Sequence, residues 1–203
     1  MWLINTHNGI KEKGIPPVNI EEFPAIKAHL DSFGDKLKKR TDKGNTPYNL
    51  RNCAYMEDFS KQKIVWGEIS DKTKFCIDLH GKFVCEATTF LMTGSNLLFL
   101  LAYLNSSLSE YLFSKIGTTT GVGTIRWKKF KLEQLFVPVN VPEKMKEEIE
   151  LKVSKLVQAD DADELENEID QIFFDFFKFS EEEVSMIRQY CLNLQKAQKN
   201  NKK

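Results

Sequence analysis

The residues best suited to chemistry lie in one stretch, GTTTGVGTIRWKK, which runs from Gly117 to Lys129. The polar members of this stretch are Thr118, Thr119, Thr120, Arg126, Lys128 and Lys129. Arginine can donate two hydrogen bonds to a guanine edge, lysine can neutralise a phosphate, and hydroxyl groups can bond to phosphates or bases. We therefore expect these side chains to form a DNA-binding surface, in which Arg126 and the threonines contact bases.

The same stretch does not match an active-site loop. A phosphate-binding loop of the form G-x-x-x-x-G-K-[ST] needs a lysine after its last glycine, whereas Gly123 is followed by Thr124. The histidines, His7, His29 and His80, are dispersed along the chain, and no spacing predicts a nucleophile beside a base. We assign no catalytic residue to this chain.

Metal ligands are also missing from the sequence pattern. Cys76, His80 and Cys85 could be taken for ligands, but no fourth ligand accompanies them. The pair His80-Gly81 stands where a two-residue hairpin turn would lie, in a register that places Cys76 opposite Cys85. The four cysteines form no C-x-x-C pair, so we expect them to be reduced and we predict no metal site.

The sequence lacks the complete motifs of two enzyme classes. An adenine methyltransferase needs a cofactor-binding glycine loop and an Asn/Asp-Pro-Pro-aromatic motif, and the sequence has neither. The E-x-K sequence from Glu150 to Lys152 lacks an upstream Pro-Asp and is interpreted as solvated surface. A divalent-metal nuclease remains an alternative, in which carboxylates that are scattered in sequence would meet in space.

Composition and charge indicate a folded chain with a basic first part. Its 203 residues are 41% hydrophobic, and the apolar run LLFLLAYL falls short of the roughly 18 residues that span a membrane. The N-terminus shows no secretion signal, so we predict a cytoplasmic protein with no membrane partner. The net charge is zero, but residues 143–183 carry 15 acids and five bases, so the remainder is basic.

The elements that must position the polar stretch are predicted to be both helices and strands. Apolar residues at helical spacing predict a first helix with a basic end: Phe23, Ile26, Leu30, Phe33 and Leu37. The segments IVWGEI, KFCIDL and FVCEATTFL predict strands. A single buried helix follows, capped by Ser95 or Asn96. In TIRWKKF, strand alternation assigns Ile125 and Trp127 to the core and Arg126 and Lys128 to the opposite face.

The last third is predicted to be an acidic helical segment. Helical spacing after Pro142 is kept by Met145, Ile149, Val153 and Leu156. Ser180 and Glu183 fit a capping box that begins the last helix. The fold class is therefore α+β, a small mixed or antiparallel sheet with a buried central helix, followed by acidic helices. We predict a recognition domain over residues 1–141 and a helical segment over 142–203, which packs on the sheet or on a partner domain.

Six segments, taken in order, suggest a family. They are FPAIKAHL, LKKR, KGNTPYNLRNCAYMEDFSKQKIVW, LNSSL, LEQLFVPV and IDQIFFDFFKFSEEEV. Together they resemble the TaqI-like C-terminal specificity domain of bacterial restriction-modification enzymes. Members of that family often end the penultimate helix with Tyr-Gly-Leu. Here Phe177, Lys178 and Phe179 take those places, so a lysine replaces the glycine of a left-handed helix cap.

The resemblance implies a role in target recognition. In type IIG enzymes and related phage-defence methyltransferases this region follows the catalytic methyltransferase domain, so the chain is expected to be a fragment of a longer methyltransferase or endonuclease chain. Implied partners are double-stranded DNA and that methyltransferase domain. The implied parent is a DNA adenine-N6 methyltransferase that uses S-adenosylmethionine and magnesium, and this fragment itself is expected to bind no cofactor.

The resemblance also marks basic residues outside the polar stretch. Arg40, Arg51 and Lys63 fall at recurring motif positions, where they are either DNA contacts or structural ion-pair partners. Lys36 and Lys39 lie beside Arg40 and are predicted to contact phosphates. A further alternative is a helical protein–protein interaction module of a phage-defence complex, because the spacing from Met145 to Leu156 is heptad-like.

Overall fold

The computed structural model describes residues 3–70, 73–86, 88–119, 125–156 and 163–200. The chain divides into two compact units, residues 1–57 and 58–203. The elements in the described residues are both helical and extended, which confirms the predicted α+β class. The boundary predicted after residue 141 stays a prediction.

The first unit is organised by hydrogen bonds between its early and late segments. The amide of Asn49, 1% exposed, donates to the carbonyl oxygen of Val18 at 3.0 Å. Thr6 donates its hydroxyl proton to the Tyr48 carbonyl at 2.7 Å and accepts at its own carbonyl from Leu50 at 2.8 Å. Because these polar groups are buried, each bond satisfies a group that would otherwise lose its water.

The basic helix predicted in this unit is broken into two. Helix α1 covers Pro24–Asp31 and helix α2 covers Asp35–Lys38. Gly34 precedes α2 with a φ of 53°, a positive value that does not occur within a right-handed helix and that glycine adopts readily. The prediction of one continuous helix was therefore wrong, and the sequence signal for the break is Gly34 itself.

The second unit contains two antiparallel sheets within its described residues. Strands β1 (Lys63–Gly67), β3 (Cys76–Asp78) and β4 (Thr89–Met92) form the first sheet in the order β3-β1-β4. Strands β2 (Ile69–Ser70), β5 (Thr118–Thr119) and β6 (Ile125–Arg126) form the second in the order β2-β6-β5. The chain passes from one sheet to the other at residue 68, directly after β1.

The predicted hairpin at His80 and Gly81 is not formed. Strand β3 pairs with β1, and residues 83–86 form no strand, so Cys76 does not face Cys85. The Asp78 carboxylate instead accepts backbone N–H bonds from His80, Lys82 and Phe83 at 3.2, 3.1 and 2.9 Å. These three bonds hold the chain in a local turn that competes with strand pairing.

The buried central helix is also interrupted. Helix α3 covers Leu97–Asn105 and helix α4 covers Ser107–Ile116. Ser106 lies between them in an extended conformation and caps α4 by accepting a 3.1 Å bond from Ser109. Asn96 is the N-cap residue of α3, one of the two positions predicted, but its side chain makes no cap hydrogen bond. The LNSSL segment is thus a helix-to-helix junction.

The C-terminal helices cover the central ones. Helix α6 (Glu143–Leu156) packs on α3, helix α7 (Asp163–Phe177) packs on α6 and α4, and helix α8 (Glu181–Asn200) packs on α4. Asp170 of α7 accepts a 2.9 Å bond from the backbone of Ser107, the first residue of α4. Ser180 and Glu183 exchange bonds of 2.8 and 3.3 Å, which confirms the predicted capping box. None of the helices within the described ranges has the length and apolar character needed to cross a membrane.

Candidate nucleic-acid interface

The candidate site is built around Trp127, which follows β6. Its ring stacks on Phe113 with centroids 4.0 Å apart and planes at 11°, and it meets Phe75 edge-on at 5.5 Å. Its carbonyl oxygen accepts from the Trp66 indole nitrogen at 2.9 Å, and its backbone nitrogen donates to the Glu68 carbonyl at 2.7 Å. Contacts to both the ring and the backbone fix the direction in which the neighbouring side chains leave the chain.

The alternation predicted for this segment is confirmed by the burial of its apolar residues. Ile125 and Trp127 are each 2% exposed and belong to the core, whereas Arg126 and Lys128 have partly exposed side chains. The two basic residues therefore lie on the face that a nucleic acid could approach.

A row of three residues crosses the second sheet at Arg126. Ile69 of β2 and Thr118 of β5 are the register partners of Arg126, one on each side. Residues directly opposite each other in antiparallel strands share a face. Ile69 is 57% exposed and Thr118 is also exposed. We call Ile69, Arg126 and Thr118 the exposed row. It offers a guanidinium, a hydroxyl and an apolar side chain together.

Glu68 supplies a carboxylate beside this row. Its Oε1 atom lies 3.5 Å from Nη1 of Arg126 and 3.9 Å from Nζ of Lys128. One carboxylate thus holds two cations on the same side of the strand, and the three side chains together carry one positive charge. The three side chains are each 32–40% exposed, so solvent screens their interaction.

The basic residues after β6 open a short helix. Helix α5 covers Lys129–Leu132, with Lys128 at its N-cap position. Lys128 lies 5.9 Å from the centroid of the exposed Phe130 ring. Lys129 is exposed and lies 3.5 Å from Glu133, one helical turn away. Lys128 therefore shares the Glu68 carboxylate with Arg126 of the exposed row, whereas Lys129 is paired with a different carboxylate.

The predicted threonines are only partly accounted for. Thr118 lies in the exposed row, and Thr119 pairs with the buried residue Ile125 across the ladder. Thr120 lies outside the described residues. The structure thus brings one of the three predicted threonines directly to Arg126.

Lys63 is a structural residue and not a surface contact. Its side chain is 0% exposed, and its Nζ donates to Asp78 and, at 2.7 Å, to the Phe59 carbonyl. Of the two roles left open for Lys63, the structure shows the ion pair and corrects the assignment to DNA contact. The reason is that a phosphate cannot reach an amino group that is fully enclosed.

The electrostatics of Asp78 follow from the same pair. Burial by itself raises the pKa of this carboxyl group. The hydrogen bonds from Lys63 and from the backbone of Phe83, Lys82 and His80 outweigh burial and hold the pKa well below its ordinary value. Asp78 is therefore ionised at neutral pH and compensates the buried Lys63.

Four of the predicted DNA-binding residues lie in the first unit. Lys36 is exposed on α2, and Lys39 lies 3.8 Å from Asp35 with most of its side chain in solvent. Arg51 lies 3.4 Å from Asp42, also exposed. Arg40 donates to the Asn49 carbonyl, which ties it to the polar core of this unit. The first three are accessible, while Arg40 already has a structural partner.

Sequence reasoning missed Glu68 and Ile69. Both lie in the segment predicted to be a strand, but their place beside Arg126 depends on a pairing between residues 57 positions apart. No local pattern in the sequence indicates that pairing. No group of three or more His, Cys, Asp or Glu residues within the described ranges is placed to hold a metal ion.

A comparison with known protein families identifies the family to which this chain belongs. The sequence model described as the TaqI-like C-terminal specificity domain matches residues 19–138, which is more than half of the chain. The chain belongs to this family. It is a specificity domain of restriction-modification enzymes, a type of domain that is distinct from the catalytic ones.

The matched range of the specificity domain includes the exposed row, Glu68, Lys128 and Lys129. It ends at residue 138, before α6, so the late segment IDQIFFDFFKFSEEEV lies outside it. No match to a curated protein was found.

Proposed function

We propose that this specificity domain binds double-stranded DNA at a defined sequence and that the exposed row contacts the bases. The observation that supports this most is the position of Arg126, between Ile69 and Thr118 on a face opposite the anchored Trp127. A guanidinium can bond to guanine, a hydroxyl can bond to several bases, and an apolar side chain can contact the thymine methyl group.

In this proposal the lysines hold the protein on the duplex. Lys128 and Lys129 would contact phosphates next to the exposed row, and Lys36, Lys39, Arg40 and Arg51 would add phosphate contacts from the first unit. Phosphate contacts set the position and the salt dependence of binding, while base contacts set sequence preference.

The rest of the proposal concerns the enzyme that the domain serves. We infer a longer parent chain of the type IIG or phage-defence kind, which acts in the cytoplasm. The parent's methyltransferase domain would bind S-adenosylmethionine and methylate adenine N6, with magnesium required if the parent also cleaves DNA. The partners of this domain are then DNA and that methyltransferase domain.

Selection from a pool of random duplexes tests the proposal. The purified chain should enrich a defined sequence and should bind it more tightly than a scrambled duplex of equal length. Equal dissociation constants for the two duplexes would refute sequence recognition by this chain. Incubation of the selected duplex with the chain and magnesium chloride should leave it intact, since cleavage would support the nuclease alternative instead.

The burial of α6 removes one argument for the interaction-module alternative. Ile149 is 0% exposed and Val153 is 2% exposed, so the heptad-like spacing of α6 is used for packing within this chain. The alternative predicts DNA-independent binding to a helical partner and no enrichment in the duplex selection.

A further inference from the structure

Glu68 is the ion-pair partner of the proposed base-contacting arginine, and its backbone is held by hydrogen bonds on both sides. Its nitrogen donates to the Thr88 carbonyl at 3.2 Å, and its carbonyl oxygen accepts from Trp127 at 2.7 Å. The side chain leaves this fixed point towards Arg126 and Lys128. Glu68 is therefore held in place by the same residue, Trp127, that orients the exposed row.

A contribution to stability does not explain this carboxylate. The separations of 3.5 and 3.9 Å from Arg126 and Lys128 are longer than those of charge-assisted hydrogen bonds. Ion pairs with this degree of exposure contribute little to the free energy of unfolding. A negative charge on a surface that binds phosphates also weakens the binding of every DNA sequence equally.

The geometry at Arg126 leaves most of the guanidinium available. The ion pair with Glu68 involves Nη1, and a guanidinium has five N–H donors in a planar fork. A carboxylate on one edge restricts the orientation of the group and leaves other donors for a ligand. A side chain that is oriented before binding loses less conformational entropy when it meets a base.

We propose that Glu68 is a specificity-determining residue, which orients Arg126 for a base edge and whose charge weakens phosphate contacts to all DNA sequences alike. This inference rests on the proposed function. The ratio of specific to non-specific binding decides whether a target is found among competing sites, and Glu68 raises that ratio because an oriented Arg126 favours the target sequence alone.

The Glu68→Gln variant separates the two effects. Glutamine has almost the same size and keeps an oxygen acceptor, but it has no charge. The salt slope for a scrambled duplex should become steeper by about 0.9, because Arg126, released from Glu68, becomes free to bind a phosphate. Discrimination against a substituted base at the position that Arg126 contacts should fall by about fivefold or more.

Glu133→Gln is the matched control. Glu133 lies 3.5 Å from Lys129, so this variant removes one negative charge from a neighbouring lysine and leaves Arg126 untouched. Its affinity for the scrambled duplex should rise, because a negative charge beside a phosphate-contacting lysine is removed, while discrimination at the Arg126 position should stay at the wild-type value.

Glu68→Asp tests orientation without a change in charge. Its shorter side chain cannot hold Arg126 in the same place, so discrimination should fall while the salt slope for the scrambled duplex stays near the wild-type value. Thermal unfolding of each variant, measured beside binding, shows that the fold is retained.

Two results would overturn the inference about Glu68. One is a Glu68→Gln variant that behaves like Glu133→Gln and keeps full discrimination. The other is a Glu68→Asp variant that keeps it. Failure of the proposed function looks different, because the wild-type chain would then show no preference between the selected and scrambled duplexes before any residue is changed.

Discussion

The indole nitrogen of Trp66 donates a 2.9 Å hydrogen bond to the carbonyl oxygen of Trp127. Trp66 lies on β1 of the first sheet, and Trp127 follows β6 of the second, so this bond joins the two sheets. Both side chains are nearly fully buried, and Phe75 contacts both rings. The direction of Arg126 and Lys128 therefore depends on packing in the core below them.

Loss of the bond between the two tryptophans should weaken both the fold and base discrimination. Trp66→Phe leaves the Trp127 carbonyl without its indole donor and should lower the free energy of unfolding by about 1–3 kcal/mol, measured by urea denaturation. Phe90→Leu is the control, because it disturbs the ring stacked on Trp66 and keeps the bond. If both variants reduce base discrimination equally, the bond has no separate role in orienting Arg126.

Lys128 should contribute to affinity and not to sequence preference. Lys128→Ala should make the log–log slope of affinity against salt less steep by about 1, with the selected sequence unchanged. Lys144→Ala, which removes an exposed lysine from α6, should leave the slope at the wild-type value. Fluorescence anisotropy over a salt series measures both. A changed base preference in Lys128→Ala would assign this residue to base contact instead.

The buried pair of Lys63 and Asp78 should be essential for the fold. Lys63→Met leaves an ionised carboxylate enclosed without its cation and should cost about 3–5 kcal/mol of unfolding free energy. Lys61→Met is the matched control, since Lys61 pairs with Asp58 at 2.7 Å in a largely exposed position and should cost less than about 1 kcal/mol. Similar losses in the two variants would contradict the structural role of Lys63.

Asp78 also predicts a pH dependence. The pKa of Asp78 is lowered in the folded state, so its contribution to stability is complete above the unfolded value of about 3.9. That contribution is lost progressively as the pH falls below this value towards the lower folded pKa. Urea denaturation between about pH 5 and pH 2 should show this loss in the wild type, and Asp78→Asn should reduce the steepness of the decline. An equal decline in both would assign acid sensitivity to other carboxylates.

Lys178 is expected to lower the stability of the fold, because it occupies the left-handed position of a helix cap. It follows α7 with a φ of 58°, and Phe179 donates to the Phe174 carbonyl at 3.1 Å, which together form a left-handed helix cap. Lys178→Gly should raise the free energy of unfolding by about 1 kcal/mol, because glycine adopts this conformation without a clash of the Cβ atom. Lys178→Ala retains a Cβ atom and should give no such gain, and an equal gain from alanine would refute the explanation.

The features predicted correctly from sequence are those that a local pattern determines. The alternation along a strand was sufficient to predict that Ile125 and Trp127 are buried. The spacing of Ser180 and Glu183 was sufficient to predict the capping box that they form. The left-handed helix cap at Lys178 was implied by the family resemblance instead, and a left-handed φ is found there.

The features that were not predicted depend on competition between local structures or on pairing between strands that are far apart in the sequence. In place of the predicted hairpin after Asp78, the chain forms a turn in which the Asp78 carboxylate accepts three backbone N–H bonds. The predicted single central helix is two helices, because Ser106 interrupts it and caps the second one. The neighbours of Arg126 could not be predicted, because Ile69 and Glu68 lie beside it through a pairing of strands that are far apart in the sequence.

The central claim is that Arg126 contacts a base of the target sequence. Parallel selections from one random duplex pool with the wild type, Arg126→Lys and Arg126→Ala test it most directly. We predict that both variants lose the preference at one position, which is guanine in the wild-type selection, and keep it elsewhere. Arg126→Lys should also keep the wild-type affinity for a scrambled duplex. Enrichment of the same full sequence by all three proteins would contradict the claim.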